Sequence, residues 1–289
     1  MDHSTSNQSR HSPLTLKVIH GGPTNFNSNV TLVMGEVDAV LIDVPFTRSQ
    51  GHRVVAETLE SQRELKYIFI THSHPDHHFS SSVFAQAFPN AEIIAIPRVS
   101  LNVAMSIPAR RKFWGPMLGA NGPGNPVVPK PYYESFIELE GEKLEILGPM
   151  HGDHNESTAI YIPSLDAIIG SDIVFNGIHL FLGHATPEDR KGWLKSIEYL
   201  ISLKPKTVVA GHKRADMGDG PESLEYCRDY LIAFEEAVSN TGTSEELMAA
   251  MRQKFPEVQD VMNDFILTSS AKVASGEREP SPETAGLFD

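Results

Sequence analysis

The sequence THSHPDHHFS, residues 71–80, contains four histidines and one aspartate within the seven residues 72–78. It directly follows LKYIFI (65–70), an apolar run that is typical of a buried strand. His72 and His74 therefore lie just beyond the carboxyl end of that strand, where open α/β sheets hold their sites. Because side chains two residues apart on an extended chain point the same way, both imidazoles face one side. The stretch predicts a metal site at the edge of a sheet.

The residues that follow supply a second pair of candidate ligands. Pro75 ends the strand, so Asp76 and His77 approach from the start of the next helix. On that helix His78 is turned by about 100° from His77, and we expect it outside the site as an outer or surface histidine. The pattern His-x-His-x-Asp-His thus presents two sets of ligands on one turn.

Short apolar segments rich in Val and Ile predict strands along most of the chain. They lie at 14–21, 28–36, 38–44, 65–74, 91–97, 134–149, 157–175 and 205–212. A helix is predicted after a Thr47 cap, and another around Trp193 and Ile197, before the last strand. Two sheet-rich halves, each with helices, predict an α/β fold, a four-layer αββα sandwich.

We expect one main domain over residues 14–240, preceded by a disordered segment at 1–13. Within it, residues 98–133 are dense in Gly and Pro, which predicts a long loop or lid. The aromatic side chains of this segment either plug it onto the core or line a substrate pocket. C-terminal helices are predicted in 241–275 and a flexible tail at 276–289.

Composition excludes several classes of function. The 289 residues carry 24 Lys plus Arg against 37 Asp plus Glu, a net charge of −13, which repels nucleic acid. Cys227 is the only cysteine, so any metal must sit on histidines and carboxylates. No signal-peptide core and no membrane-length apolar stretch is present. We expect a soluble cytoplasmic protein that acts on a small molecule without a membrane partner; a homodimer is compatible with this interpretation.

The His-x-His-x-Asp-His pattern resembles the signature of the metallo-β-lactamase superfamily. Over about residues 14–215, the later family positions are matched by Asp172 in GSDIVF and His212 in VVAGHKR. The family's third histidine corresponds to His151 or His154 in GPMHGDHNEST. His151 directly follows the strand LEILGP, as the family histidine does, and is favoured. Asp153 and His154 are then pocket candidates.

The resemblance implies a dinuclear centre of two Zn²⁺, with iron or manganese as alternatives. The implied ligands are His72, His74 and His151 for one metal, Asp76, His77 and His212 for the other, and Asp172 between them. His74 stands where di-iron members carry glutamate, which argues against an oxygen or nitric oxide reductase. Asp172 stands where class B1 and B2 β-lactamases carry cysteine, which argues against a dedicated resistance enzyme.

The function implied is hydrolysis of a small carbonyl substrate by a metal-bridging hydroxide, with a lactam or lactone ring favoured by the aromatic 98–133 segment. Asp76 is expected to orient the nucleophile and pass a proton to the leaving group. His179 or His184 is expected to donate to the oxyanion. The alternatives are a glyoxalase II-like thioester hydrolase and a non-catalytic binding protein on the same fold.

Overall fold

The computed structural model describes residues 14–279. The predicted segment 1–13 and the part of the predicted tail from residue 280 onward lie outside the described residues. The strands are β1 Thr15–His20, β2 Asn29–Met34, β3 Asp38–Ile42, β4 Glu64–Phe69, β5 Glu92–Ala95, β6 Lys130–Pro131, β7 Phe136–Leu139, β8 Glu142–Met150, β9 Ser157–Ile162, β10 Ala167–Asn176 and β11 Thr207–Lys213. The α-helices are α1 Arg48–Glu60, α2 Ser81–Ala87, α3 Pro97–Leu118, α4 Pro187–Ser202, α5 Glu222–Asn240, α6 Ser244–Lys254 and α7 Phe265–Ala274.

The strands form two mixed sheets. One has the order β1-β2-β3-β4-β5-β6, antiparallel from β1 to β3 and parallel from β3 to β6. The other has the order β11-β10-β9-β8-β7, in which only β10 and β11 are parallel. The parallel strands explain the long apolar runs in the sequence, because both faces of such strands are covered.

Alternate side chains of one strand serve two different cores. In β3, Ala39 and Leu41 pack among the helices of the first sheet, whereas Val40 and Ile42 pack between the sheets. Residues of the second sheet, such as Ile160, share that inter-sheet core. This two-residue period is the geometry of a pleated strand with both faces buried. Full burial of a Val, Leu or Ile side chain at such a position contributes about 1.5–3 kcal/mol.

The helices complete a four-layer arrangement, and the predicted fold class is confirmed. Helices α1 to α3 pack on the outer face of the first sheet. Helices α4 to α7 pack on the outer face of the second sheet, around the fully buried Trp193. The predicted Thr47 cap forms, because its side chain accepts a hydrogen bond from the backbone N–H of Gln50. Thr243 caps α6 in the same way by accepting one from the backbone N–H of Glu246. None of the described helices is long and apolar enough to cross a membrane.

The segment predicted as a loop or lid differs from that expectation. Its first part belongs to the 22-residue helix α3, and the part after Leu118 contains irregular chain, a single 3-10 turn and the short strand β6. Pro97 occupies the first turn of α3, where a missing N–H costs nothing. Two interior prolines disfavour a helix prediction, whereas buried Val99, Val103 and Trp114 follow helical spacing.

Candidate metal centre

The turn after β4 is held by the buried carboxylate of Asp43, a residue that sequence reasoning missed. One oxygen accepts a hydrogen bond from the backbone N–H of Thr71 at 2.8 Å, and the other accepts one from the Thr71 hydroxyl at 2.8 Å. That second oxygen also lies 2.8 Å from Nδ1 of His77, so the ring presents Nε2 to the centre. The sequence does contain a signal for it, since Asp43 directly follows the apolar residues 39–42 of a predicted strand.

The first group of candidate ligands combines the motif with the second half of the chain. Donor atoms of His72, His74, Asp153 and Asp172 all lie within 4.8 Å of one another, and all four residues are buried. Nδ1 of His74 is 2.8 Å from the Asp153 carboxylate. Nε2 of His72 is 3.4 Å from the Asp172 carboxylate and 3.9 Å from that of Asp153.

The second group consists of Asp76, His77, Asp172 and His212, again with donor atoms within 4.8 Å. Nε2 of His77 is 3.0 Å from one oxygen of Asp172, and Nε2 of His212 is 3.0 Å from the other. Nε2 of His212 also lies 3.3 Å from the Asp76 carboxylate. The opposite ring nitrogen of His212 donates to the backbone carbonyl of Phe26 at 2.8 Å, which fixes the orientation of the ring.

Asp172 belongs to both groups because of its place in the second sheet. The register between β10 and β11 shifts between Ser171 and Phe175, and Ser171 has a left-handed φ of 44°. Such an irregularity redirects side chains at the end of a strand. Gly211 makes room for the carboxylate, because a Cβ there would lie 2.2 Å from an Asp172 oxygen. The Gly-His pair of the sequence thus places His212 while leaving space for Asp172.

The structure corrects the expected placement of His151, which it brings into neither group. The side chain of His151 is 38% exposed, and its Nδ1 lies 3.5 Å from Asp189. Asp153 takes the inward position instead. Gly152 packs so closely on β10 that a Cβ would lie 2.8 Å from the carbonyl oxygen of Asp172, and the N–H of Asp153 donates to that carbonyl at 3.1 Å. The chain crosses β10 at Gly152, which directs Asp153 inward.

Three other histidines surround the centre without joining either group. The rings of His154 and His184 lie 5.5 Å and 5.4 Å from that of His74, measured between centroids. Burial lowers the pKa of His154 and of His184 to about 3, so both imidazoles are neutral. His78 is outside both groups, as expected, but it is fully buried and not on the surface.

His179, expected to donate to an oxyanion, lies elsewhere. Its Nδ1 is 2.9 Å from the hydroxyl of Tyr230, and its Nε2 is 3.5 Å from the carboxylate of Asp260. It is absent from the residues that line the cavity over the candidate ligands. These contacts tie the segment before α7 to α5. Lys213, the cation beside His212, donates to Asp219 at 2.6 Å.

Crowding of carboxylates and imidazoles perturbs their protonation. Burial alone would lower the pKa of His212, but the carboxylates of Asp172 and Asp76 outweigh it and raise that pKa to about 10. The pKa of His77 rises for the same reason, against burial. Burial, reinforced by the Asp172 charge, raises the pKa of Asp153. The protein thus concentrates negative charge in a desolvated space, where only cations or protons balance it.

The donor set fits divalent metal ions. Nε2 of His72 and Oδ1 of Asp153 are buried without a hydrogen-bond partner, an arrangement that costs free energy unless another group is bound. Four imidazoles and three carboxylates are the ligand types used by zinc, iron and manganese proteins. The two clusters therefore constitute a candidate divalent metal site.

A small cavity of about 40 Å³ lies directly over these ligands. On one side are candidate ligands: His74, Asp76, Asp153, Asp172 and His212. On the other side are apolar residues: Phe26, Trp114, Phe175, Ile178, Phe181, Phe265 and Ile266. A substrate in this cavity contacts the ligands and the apolar wall together.

Comparison with known proteins agrees with this geometry. The sequence profile of the metallo-beta-lactamase superfamily matches residues 23–212, which include both ligand groups. The chain belongs to the metallo-beta-lactamase superfamily. The resemblance to this superfamily that the sequence motifs indicate is thereby confirmed. Among curated proteins, none matches the chain significantly.

Solved structures share the superfamily fold at low sequence identity. A metallo-beta-lactamase family protein from Thermus thermophilus is 19% identical, with a TM-score of 0.62 and 91% of each chain covered. A metallo-beta-lactamase from Hirschia baltica is 18% identical, with a TM-score of 0.53, covering 75% of this chain and 92% of that one. A metallo-beta-lactamase from Pontibacter korlensis is 17% identical, with a TM-score of 0.52, covering 76% and 95%. At these identities the similarity establishes the fold.

Proposed function

We propose that this superfamily member is a metal-dependent hydrolase of a small carbonyl substrate, with a lactone or lactam ring as the favoured substrate class. The observation that carries the proposal is the position of Asp172, whose carboxylate belongs to two groups of ligands at once. A carboxylate shared in this way holds two cations side by side, an arrangement that many hydrolases use. We propose two Zn²⁺ as the cofactors, with iron or manganese as the alternatives.

The ligands proposed for the first metal are His72, His74 and Asp153, and those for the second are Asp76, His77 and His212, with Asp172 common to both. When bound, such metals polarise a carbonyl and lower the pKa of water toward neutrality. The protein's own contribution is to hold these donors in fixed orientations. The hydrogen bonds from His77 to Asp43 and from His212 to the Phe26 carbonyl do this.

Asp76 is proposed to handle the proton of the reaction as well as to ligate. Its side chain lines the cavity and is 13% exposed, whereas the side chain of Asp172, which also lines the cavity, is 1% exposed. Burial would raise the pKa of Asp76, but the adjacent His77 and His212 lower it overall, so the group is a carboxylate at neutral pH. A carboxylate at the cavity surface accepts a hydrogen bond from water, orients it and transfers its proton to a leaving group.

The apolar side of the cavity excludes water from the remainder of the substrate. Trp114 of α3 and Phe265 of α7 both line it, so helices from the two outer layers close over the same space. Exclusion of water strengthens electrostatic interactions at the reacting carbonyl. This feature supports a small organic substrate over a polymer.

A hydrolysis screen of the zinc-loaded protein tests the proposal. Lactones, lactams, thioesters and phosphodiesters are compared for wild type, Asp172→Asn and the control Asp216→Asn. Asp216→Asn is the matched control, because it makes the same chemical change at a surface residue that is 68% exposed and paired with Arg214. We expect turnover of a carbonyl substrate that Asp172→Asn reduces at least 100-fold and Asp216→Asn leaves within twofold. Turnover confined to phosphodiesters, or equal in the Asp172 variant, contradicts the proposal.

A further inference from the structure

Four of the five aromatic rings on the apolar side of the cavity belong to four separate segments outside the sheets. Phe26 follows β1, Trp114 lies on α3, Phe181 follows β10 and Phe265 begins α7. We refer to these four residues as the aromatic wall. Because the segments are distant in sequence, no local feature of the chain requires four rings to meet over the candidate metal ligands.

The rings of the aromatic wall are in mutual contact. The centroid of Phe26 lies 5.7 Å from that of Trp114 and 6.2 Å from that of Phe265. Phe265 is also 6.2 Å from Trp114 and stacks on Phe181 at 6.2 Å with an interplanar angle of 12°. Rings packed at these separations form a continuous apolar surface, against which flat or branched apolar groups can pack.

The charges around the cavity are distributed unevenly. All its charged side chains are candidate metal ligands, and none of the described residues that line it is Lys or Arg. Lys213, next to His212, has its ammonium group on Asp219. Arg110 on α3 is 1% exposed and is not part of the lining. A substrate carboxylate placed against the aromatic wall would therefore be desolvated without a Lys or Arg of the lining as its partner.

We infer that the site selects uncharged carbonyl substrates that carry an apolar ring or branched alkyl group, and discriminates against substrates that carry a carboxylate. This inference rests on the proposed function and narrows it. The reacting carbonyl lies at the metal ligands, and the apolar substituent lies on the aromatic wall. Penicillin-type lactams carry a carboxylate beside the scissile bond, so a neutral lactone fits the cavity better.

Three lactones of one ring size test separately the preference for an apolar substituent and the discrimination against a carboxylate. They are γ-butyrolactone, its neutral γ-phenyl derivative and its anionic γ-carboxyl derivative, each assayed with the zinc-loaded protein. We expect kcat/KM for the phenyl compound to exceed that of the parent by about 10- to 100-fold, the range for an added apolar group in a fitted pocket. We expect the carboxyl compound to fall below the parent. A carboxyl compound that is turned over as well as the phenyl compound overturns the inference.

Two variants test whether the aromatic wall causes the preference for the phenyl compound. Phe265→Ala removes one ring of the wall, and Phe136→Ala makes the same deletion on β7, away from the cavity. We expect Phe265→Ala to reduce the ratio of phenyl to parent kcat/KM by about tenfold, and Phe136→Ala to leave that ratio unchanged. Equal ratios in the wild type and both variants contradict a role for the wall.

A binding measurement separates this inference from the proposed function. The non-hydrolysable ketone 3-phenylcyclopentanone is titrated into the protein while tryptophan fluorescence is recorded; Trp114→Phe identifies the signal of Trp114 against that of buried Trp193. Saturable binding that weakens in Phe265→Ala, without hydrolysis of any lactone, lactam or thioester in the screen, supports the wall and defeats the hydrolase. Lactone hydrolysis without binding of the ketone or a phenyl preference defeats the inference and leaves the hydrolase.

Discussion

Asp153 is predicted to contribute to metal affinity, whereas His151, two residues earlier, is predicted to contribute nothing. The Asp153 carboxylate is 2.8 Å from Nδ1 of His74 and belongs to the first ligand group. The ring of His151 is 38% exposed and faces Asp189. Asp153→Asn removes the charge with little change of shape, and His151→Asn makes a matched change outside the centre.

The expected magnitude follows from the removal of one charged metal ligand. Loss of a residue that only orients a metal ligand costs about 10- to 100-fold in metal affinity, and loss of a ligand costs at least the upper value. A 100-fold loss removes about 2.7 kcal/mol of metal-dependent stability. At about 2–4 °C per kcal/mol, the zinc-induced rise in Tm is reduced by about 5–10 °C in Asp153→Asn. In His151→Asn the rise changes by less than about 2 °C.

In metal-free protein we expect Asp153→Asn to have the opposite effect on the melting temperature. Burial and the Asp172 charge raise the pKa of Asp153, so the folded state binds a proton that the unfolded state releases. That contribution to stability is lost as pH rises above the ordinary carboxyl pKa of 3.8. At pH 7 in EDTA, Asp153→Asn should therefore melt at or above the wild-type temperature. Scanning calorimetry with and without zinc measures both effects. A zinc response intact in Asp153→Asn and lost in His151→Asn refutes the assignment.

Three further predictions concern the surroundings of the centre. Burial lowers the pKa of His179 from 6.5 to about 4, so the wild type should lose up to about 3 kcal/mol of stability as pH falls through that window. His179→Gln should flatten this dependence in urea unfolding; an unchanged slope contradicts it. Gly152→Ala places a Cβ 2.8 Å from the carbonyl oxygen of Asp172 and should lower the zinc content. In the control Gly115→Ala, on α3, the new Cβ meets nothing within 4 Å, and the zinc content should not change. Equal zinc content in the two variants would show that Gly152 is not required. Burial raises the pKa of the Cys227 thiol to about 12, so native protein should resist iodoacetamide while urea-unfolded protein reacts; labelling of the folded protein at the unfolded rate counts against burial.

The sequence predicted the elements that depend on local pattern. Apolar runs bounded by turns located β1 to β5 and β11, and each predicted strand overlaps a strand in the structure. The prediction failed where helical periodicity competed with prolines. Residues 97–118 form α3 because the packing of buried Val103 and Trp114 stabilises the helix, although Pro108 and Pro116 disfavour it.

The part of the candidate site that depends on local sequence pattern was also predictable. His72, His74, Asp76 and His77 share one turn, so their proximity follows from the motif. The choice between His151 and its neighbours depended on how the chain crosses β10, a tertiary contact at Gly152 that no local pattern encodes. The aromatic wall depends on long-range packing, and only its member Trp114 lies in the 98–133 segment whose aromatic residues are pocket candidates by sequence.

Bound zinc after equilibrium dialysis tests the central claim most directly, namely that two metals bind to ligand groups that share Asp172. We predict two zinc ions per chain for the wild type and fewer than one for Asp172→Asn, with Asp216→Asn unchanged at two. Wild-type protein that holds far less than one metal per chain, even after zinc is added, would contradict this claim.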